Sequence, residues 1–214
     1  MTEARYPGYD VLAKRDGVSW NDATRRTLER RLAVPSAPRM FNPAQWQTLQ
    51  ALCARILPQP VDRPPIPVAA LLDERLASGR TDGFRRTHLP AQEEAWQRGL
   101  DALDVEARAL LGTAFCDLAA AQQDALLHRL QDGQLKDPAW GDMSGQEFFA
   151  HRVLLDLGAA YYSHPTAWNE IGFGGPASPR GYVRMDFDRR DPWEAAETKP
   201  GRETQALRDN RRVR

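Results

Sequence analysis

Apolar residues in this chain recur at three- and four-residue spacing, inside segments that open on capping residues and close on proline or glycine. Such spacing puts one stripe of side chains on one side of a helix, so it confines the fold to packed helices. In "FNPAQWQTLQALCARILP", Asn42 is the expected N-cap, Pro43 takes the first helical position and Gln45 stands three residues after the cap. Trp46, Leu49, Leu52, Cys53, Ile56 and Leu57 then form the predicted buried stripe, and Pro58 ends it.

Further segments repeat the pattern. Ser19 or Asn21 caps a short helix reaching about Ala33, and "PQPVDRPPIP" is an extended connector because each proline fixes its own φ and pushes its predecessor out of the helical region. "VAALLDERLASG" is read as a short helix with Val68, Leu71, Leu72 and Leu76 inward, and "RTDGFRRTH" as a loop. Pro90 opens a helix with Trp96, Leu100, Leu103 and Leu110 facing in and a break expected near Asp104. "FCDLAAAQQDALLHRLQDG" buries Leu126, Leu127 and Leu130, and "SGQEFFAHRVLLDLGAAYY" starts on Ser144 and Glu147 at capping-box spacing. The expectation is an all-α fold: a compact bundle of five or six helices with an extended, irregular N-terminal arm and a long C-terminal arm. The predicted divisions are an N-terminal arm over 1–40, a helical domain over 41–162, a docking ribbon over 163–193 and a charged tail over 194–214.

The formal net charge of the 214 residues is zero, which argues against general nucleic-acid binding, since phosphate affinity needs a basic surface. Charge is uneven: residues 1–34 hold seven basic and five acidic side chains and residues 180–214 ten and seven, which leaves the segment between them acidic by five. The outermost residues at each end read equally well as disordered tails. No run of about 18 apolar residues is present to span a bilayer. Arg25-Arg26 mimics a twin-arginine signal, but "TLERRLAVP" follows where a hydrophobic stretch is needed, so the expected location is cytoplasmic, or periplasmic where another subunit carries the export signal. The two cysteines, Cys53 and Cys116, read as reduced and structural.

Catalytic chemistry finds little support. The four histidines, His88, His128, His151 and His164, stand apart from one another and from cysteine, so no local spacing supplies two metal ligands. "GFGG" at Gly172 to Gly175 lacks the preceding strand and following helix of a phosphate loop. Glu93, Glu94, Asp101, Asp104 and Glu106 sit at spacings of a solvated helix face. Catalytic, cofactor-binding and metal-ligating residues are therefore expected to be absent from this chain.

The segment Tyr161 to Phe187 carries six aromatics, four glycines and three prolines. Large aromatics on a bent backbone suit a binding surface, because they desolvate much area at small entropic cost. Trp168, Ile171 and Phe173 are the first candidate partner contacts, with Trp168 also suited to closing over its own helices. Beyond Gly181 the alternation of "YVRMDFDRRDPWEA" predicts an extended arm, with Tyr182 and Arg184 on one side and Met185 and Phe187 on the other. Arg184, Arg189 and Arg190 are available for carboxylate pairs, and Trp193 completes the predicted partner surface.

"FNPAQWQTLQALCARILP", "FCDLAAAQQDALLHRLQDG", "FFAHRVLLDLGAAYYSHP" and "WNEIGFGGPASPRGY" resemble, in that order, the small subunit (subunit 3, or gamma) of flavin-dependent gluconate 2-dehydrogenases, over about Phe41 to Tyr182. The resemblance implies a non-catalytic helical subunit that stabilises or matures a large FAD-containing flavoprotein of the glucose-methanol-choline (GMC) type. That partner would oxidise a sugar, glycoside or sugar acid and pass electrons to a cytochrome c subunit or another acceptor. The short "TAWNE" after S-x-P resembles the branch found beside sugar 3-dehydrogenase-type flavoproteins. Two other classes fit the residues alone: a stand-alone helical enzyme using carboxylate acid–base chemistry in an interhelical pocket, and a helical scaffold with flexible tails.

Overall fold

The computed structural model describes residues 4–34, 37–61, 63–80, 83, 87–177, 181, 191 and 193–213. The predicted loop over 80–88 and the predicted strand-like alternation after Gly181 lie largely outside them. Among the described residues every regular element is helical, so the chain is all-α. It divides into two compact units, one formed by residues 34–161 and the other by residues 1–33 together with 162–214.

The unit over 34–161 holds α2 (Pro43–Ile56), α3 (Val68–Ala77), α4 (Gln92–Leu111), α5 (Ala120–Gln131), the single turn α6 (Gly145–Phe148) and most of α7 (Leu154–Ser163). At the start of α2 both halves of the capping box form: the Gln45 amide donates to Asn42 Oδ1 at 2.9 Å, and the Asn42 amide to Gln45 Oε1 at 3.2 Å. Two of the helix's orphan N–H groups are thereby satisfied by side chains spaced as the sequence predicts. Leu49, Leu52, Leu72, Trp96, Leu100, Leu103, Phe115, Leu130, Phe148 and Leu157 are buried to 1 % exposure or less and form the core. Trp46, Ile56 and Leu57 are only half-buried at its edge.

Three local expectations are corrected. Helix α4 runs unbroken through Asp104, because that side chain turns away from its own backbone: Oδ1 accepts the Phe115 amide at 2.9 Å and Oδ2 pairs with Arg108. Leu110 is 43 % exposed, since the packed stripe ends at Ala107 and the chain turns at Gly112 (φ +81°) one residue past the helix. Glu106 is not solvated; it is 5 % exposed and accepts from Trp140 Nε1 and the Asp137 amide. Between α6 and α7 the backbone widens into a π-helical turn over Phe149–Val153, a form that apolar spacing does not announce.

The other unit contains α1 (Asp22–Leu32), α8 (Pro165–Ile171) and α9 (Glu203–Asn210), with a 3-10 turn over Val11–Lys14. Asn21, not Ser19, is the cap of α1, accepting the Thr24 amide. The two chain ends, read from sequence as separate segments, pack on each other here, so the described parts of neither arm are simply extended. Tyr9, Val11, Trp20, Leu28, Trp168, Ala195 and Val213 form a common apolar cluster, with Tyr6, Leu12 and Trp193 packed against it. The Thr198 amide donates to Arg5 O at 2.9 Å, and buried Asn210 donates to Pro7 O and Ala196 O while accepting from the Ala196 amide. Trp20 comes from one end and Trp168 and Val213 from the other, and all three are withdrawn from water because each end supplies part of the other's cover.

Candidate partner-docking surface

Helix α8 starts on His164, whose Nδ1 accepts the Thr166 amide, and on Pro165, which is pre-set for the first helical turn. It ends at Gly172, whose φ of +66° is favourable for glycine and strained for other residues. The chain then reverses: the Phe173 amide donates to Trp168 O at 3.0 Å, and the Phe173 ring meets the Trp168 ring edge-on with centroids 5.3 Å apart. Such edge-to-face pairs add about 0.5–1.5 kcal/mol beyond area burial. Trp168 itself is 4 % exposed and its Nε1 donates to Tyr162 O.

The structure thus sorts the predicted partner residues. Trp168 is not at the surface: it is a core ring of this unit, the self-packing role that its sequence position also allowed. Ile171 and Phe173 stand outward at 47 % and 43 % exposure, forming a two-residue apolar tip. Trp193 is half-buried against the cluster that holds Trp168. Tyr182, Arg184, Met185, Phe187, Arg189 and Arg190 lie outside the described residues.

Sequence reasoning missed other exposed apolar side chains. Leu154 and Leu155 on α7 are 45 % and 55 % exposed, as are Val105 and Leu111 on α4 at 39 % and 42 %. Leu111, four residues after Ala107, and Leu154, three before Leu157, keep the spacing of buried positions, so only packing reveals them as outward, whereas Val105 and Leu155 fall between the stripe positions. Among the described residues no helix is long and apolar enough to cross a membrane, and no group of three or more His, Cys, Asp or Glu converges as a metal site would.

The perturbed ionisable groups serve the fold. Asp156, 3 % exposed, accepts from Gln92 Nε2 at 2.9 Å and Trp96 Nε1 at 2.8 Å and lies 3.7 Å from Arg152 Nη1. Burial raises its pKa, against the lowering effect of those hydrogen bonds and the Arg152 charge. Asp124 and Asp142 are held below the usual carboxylate range by hydrogen bonds from Arg55 and Arg98. Burial pushes the Cys53 thiol up to about 12, and burial followed by the neighbouring Asp117 raises that of Cys116. Asp101, Asp104 and Glu106, among the carboxylates weighed as acid–base pairs, each accept a hydrogen bond from a residue elsewhere in the fold: Gln45, the Phe115 amide and Trp140.

Among the described residues the regular elements are all helical, and Ile171 and Phe173 face outward where a partner could reach them. The chain belongs to the gluconate 2-dehydrogenase subunit 3 family, whose model matches residues 43–175, from the first turn of α2 to the glycines after the apolar tip. Neither a curated protein nor a solved structure matches the chain.

Proposed function

We propose that this chain is the helical accessory subunit of an FAD-dependent dehydrogenase of the GMC type that oxidises a sugar, glycoside or sugar acid, and that it stabilises or matures that flavoprotein. FAD belongs to the partner in this reading, and a cytochrome c or other acceptor takes the electrons. The complex resides in the cytoplasm, or in the periplasm where the partner carries the export signal.

The observation that carries the reading is the outward apolar tip, Ile171 and Phe173, at the carboxyl end of the family-matched segment. Large apolar side chains held on a fixed backbone act as anchors when they enter a partner's pocket. Family membership supports a dehydrogenase complex as the setting.

Co-expression of this chain with a GMC-type flavoprotein encoded in the same genome tests the proposal. The expected result is a co-purifying complex and a higher yield of soluble, active flavoprotein. Equal yield and activity of the flavoprotein without this chain would overturn it.

A further inference from the structure

We infer that the N-terminal segment Tyr6–Lys14 is a positioning strap that pre-forms the apolar tip for the flavoprotein, an inference that rests on the accessory-subunit reading. The segment lies outside the family-matched residues 43–175, yet it meets the tip loop along most of its length.

Several residues of the strap reach α8 and the loop after it. The Val11 amide donates to Asn169 Oδ1 at 2.8 Å, at the middle of α8. The Tyr6 ring covers Gly172 so closely that a Cβ there would stand 2.5 Å from it. Tyr9 reaches the Phe173 carbonyl with its hydroxyl at 3.4 Å, and Lys14 Nζ donates to Gly174 O at 2.9 Å. Val11 and Trp168 close on Gly175, at 3.1 Å and 3.3 Å from the site of a Cβ. Glycine at 172 and 175 therefore serves two ends, a positive φ and room for the strap.

Lys14 is the most informative member. Its side chain is fully withdrawn from solvent, with the amine 5.7 Å from the centre of the Tyr9 ring. An ammonium group at such a depth is unfavourable unless its donors are used, and here one is spent on a loop carbonyl. The hydrogen bond to Gly174 O gives the contact direction, because it fixes the Gly174–Gly175 peptide one residue beyond Phe173. The strap leaves Ile171 and Phe173 uncovered while it holds the backbone between and beyond them. A loop fixed in its bound shape loses less conformational entropy on docking, which is how preorganisation raises affinity.

Two measurements on the full-length chain test this. Hydrogen exchange in the isolated protein reads the Phe173 amide, bonded to Trp168 O, in the wild type and in Lys14→Met; affinity for the co-expressed GMC-type flavoprotein is then measured for both and for Phe173→Ala. The expected result is exchange about tenfold faster at Phe173 in Lys14→Met with distant helical amides unchanged, and affinity about tenfold weaker. Phe173→Ala weakens affinity also, and adding Lys14→Met to it produces little more loss, because the strap acts through that ring. Unchanged exchange in Lys14→Met overturns the positioning role whatever the flavoprotein does. Faster exchange with unaltered affinity overturns the docking role of the strap, and equal, additive losses in both backgrounds do the same. A wild-type chain that binds no flavoprotein overturns the accessory-subunit reading instead, while the exchange result still decides the strap. Should Lys14→Met fail to fold, Tyr9→Phe removes a single hydroxyl from the same loop contact and is read by the same criteria.

Discussion

Gly99 on α4 faces the ring of Phe148 so closely that a Cβ at position 99 would lie 2.3 Å from Phe148 Cζ. The ring cannot retreat, since it is fully buried and stacks edge-on against Trp96 at 5.4 Å with Trp140 at 6.0 Å on another side. Alanine is the better helix former by about 1 kcal/mol, but overpacking of this kind costs about 1–3 kcal/mol. Gly99→Ala is therefore expected to lower the unfolding free energy by up to about 2 kcal/mol, the net of those two effects. Urea denaturation measures it, and Phe148→Leu in the same chain should recover part of the loss. A stabilised Gly99→Ala protein would show that the ring is loosely held.

Asp156 is the acceptor on which two buried donors, Gln92 Nε2 and Trp96 Nε1, converge. Asp156→Ala strands both and removes the carboxylate beside Arg152, so a loss of about 3 kcal/mol or more is expected. Asp156→Asn keeps an acceptor oxygen and should lose less. Because burial raises the folded-state pKa, the folded protein holds this proton to higher pH than the unfolded chain does. Stability from this group is therefore full below the ordinary aspartate pKa and falls as pH rises through the raised value. Denaturation of wild type and Asp156→Asn across that acidic range should show the steeper decline in the wild type.

Cys53 is expected to resist alkylation in the native protein at neutral pH, since its thiol is buried and its pKa stands at about 12. Cys116, only partly buried, should react first. The folded thiol loses its proton later than the unfolded one, whose pKa is about 8.5. The contribution of Cys53 to stability is thus intact below that pH and is lost as pH rises toward the folded value. Mass-resolved alkylation of native and unfolded protein checks the order, and a Cys53 that labels as fast as Cys116 would contradict the packing of α2.

Phe173→Ala should weaken flavoprotein binding by about 2 kcal/mol, the scale of an interface anchor. Its effect on folding should be smaller, about 1 kcal/mol, because the ring is 43 % exposed and the main loss is its contact with Trp168. Trp168→Ala should do the reverse, removing a ring that is 4 % exposed and costing about 3–5 kcal/mol of stability. Binding affinity and melting temperature, measured on the two variants together, separate partner contact from self-packing.

Residue spacing alone specifies the local parts of this protein. The Asn42–Gln45 capping box, the stripe of Leu49 and Leu52 and the start at Ser144 involve residues within one or two turns of each other, so spacing reports them directly. The ordered motifs also carried the family. Relationships between distant residues emerge only from the packed chain: Lys14 buried on Gly174, Gly99 open for Phe148, Asp104 turned toward Phe115, and Leu110 and Leu154 left outward. A helical stripe states which residues favour burial, but cover is supplied by whichever segment returns to that place, and nothing local encodes that return. For the same reason, the two ends of the chain read as separate arms until their apolar residues were seen to cover one another.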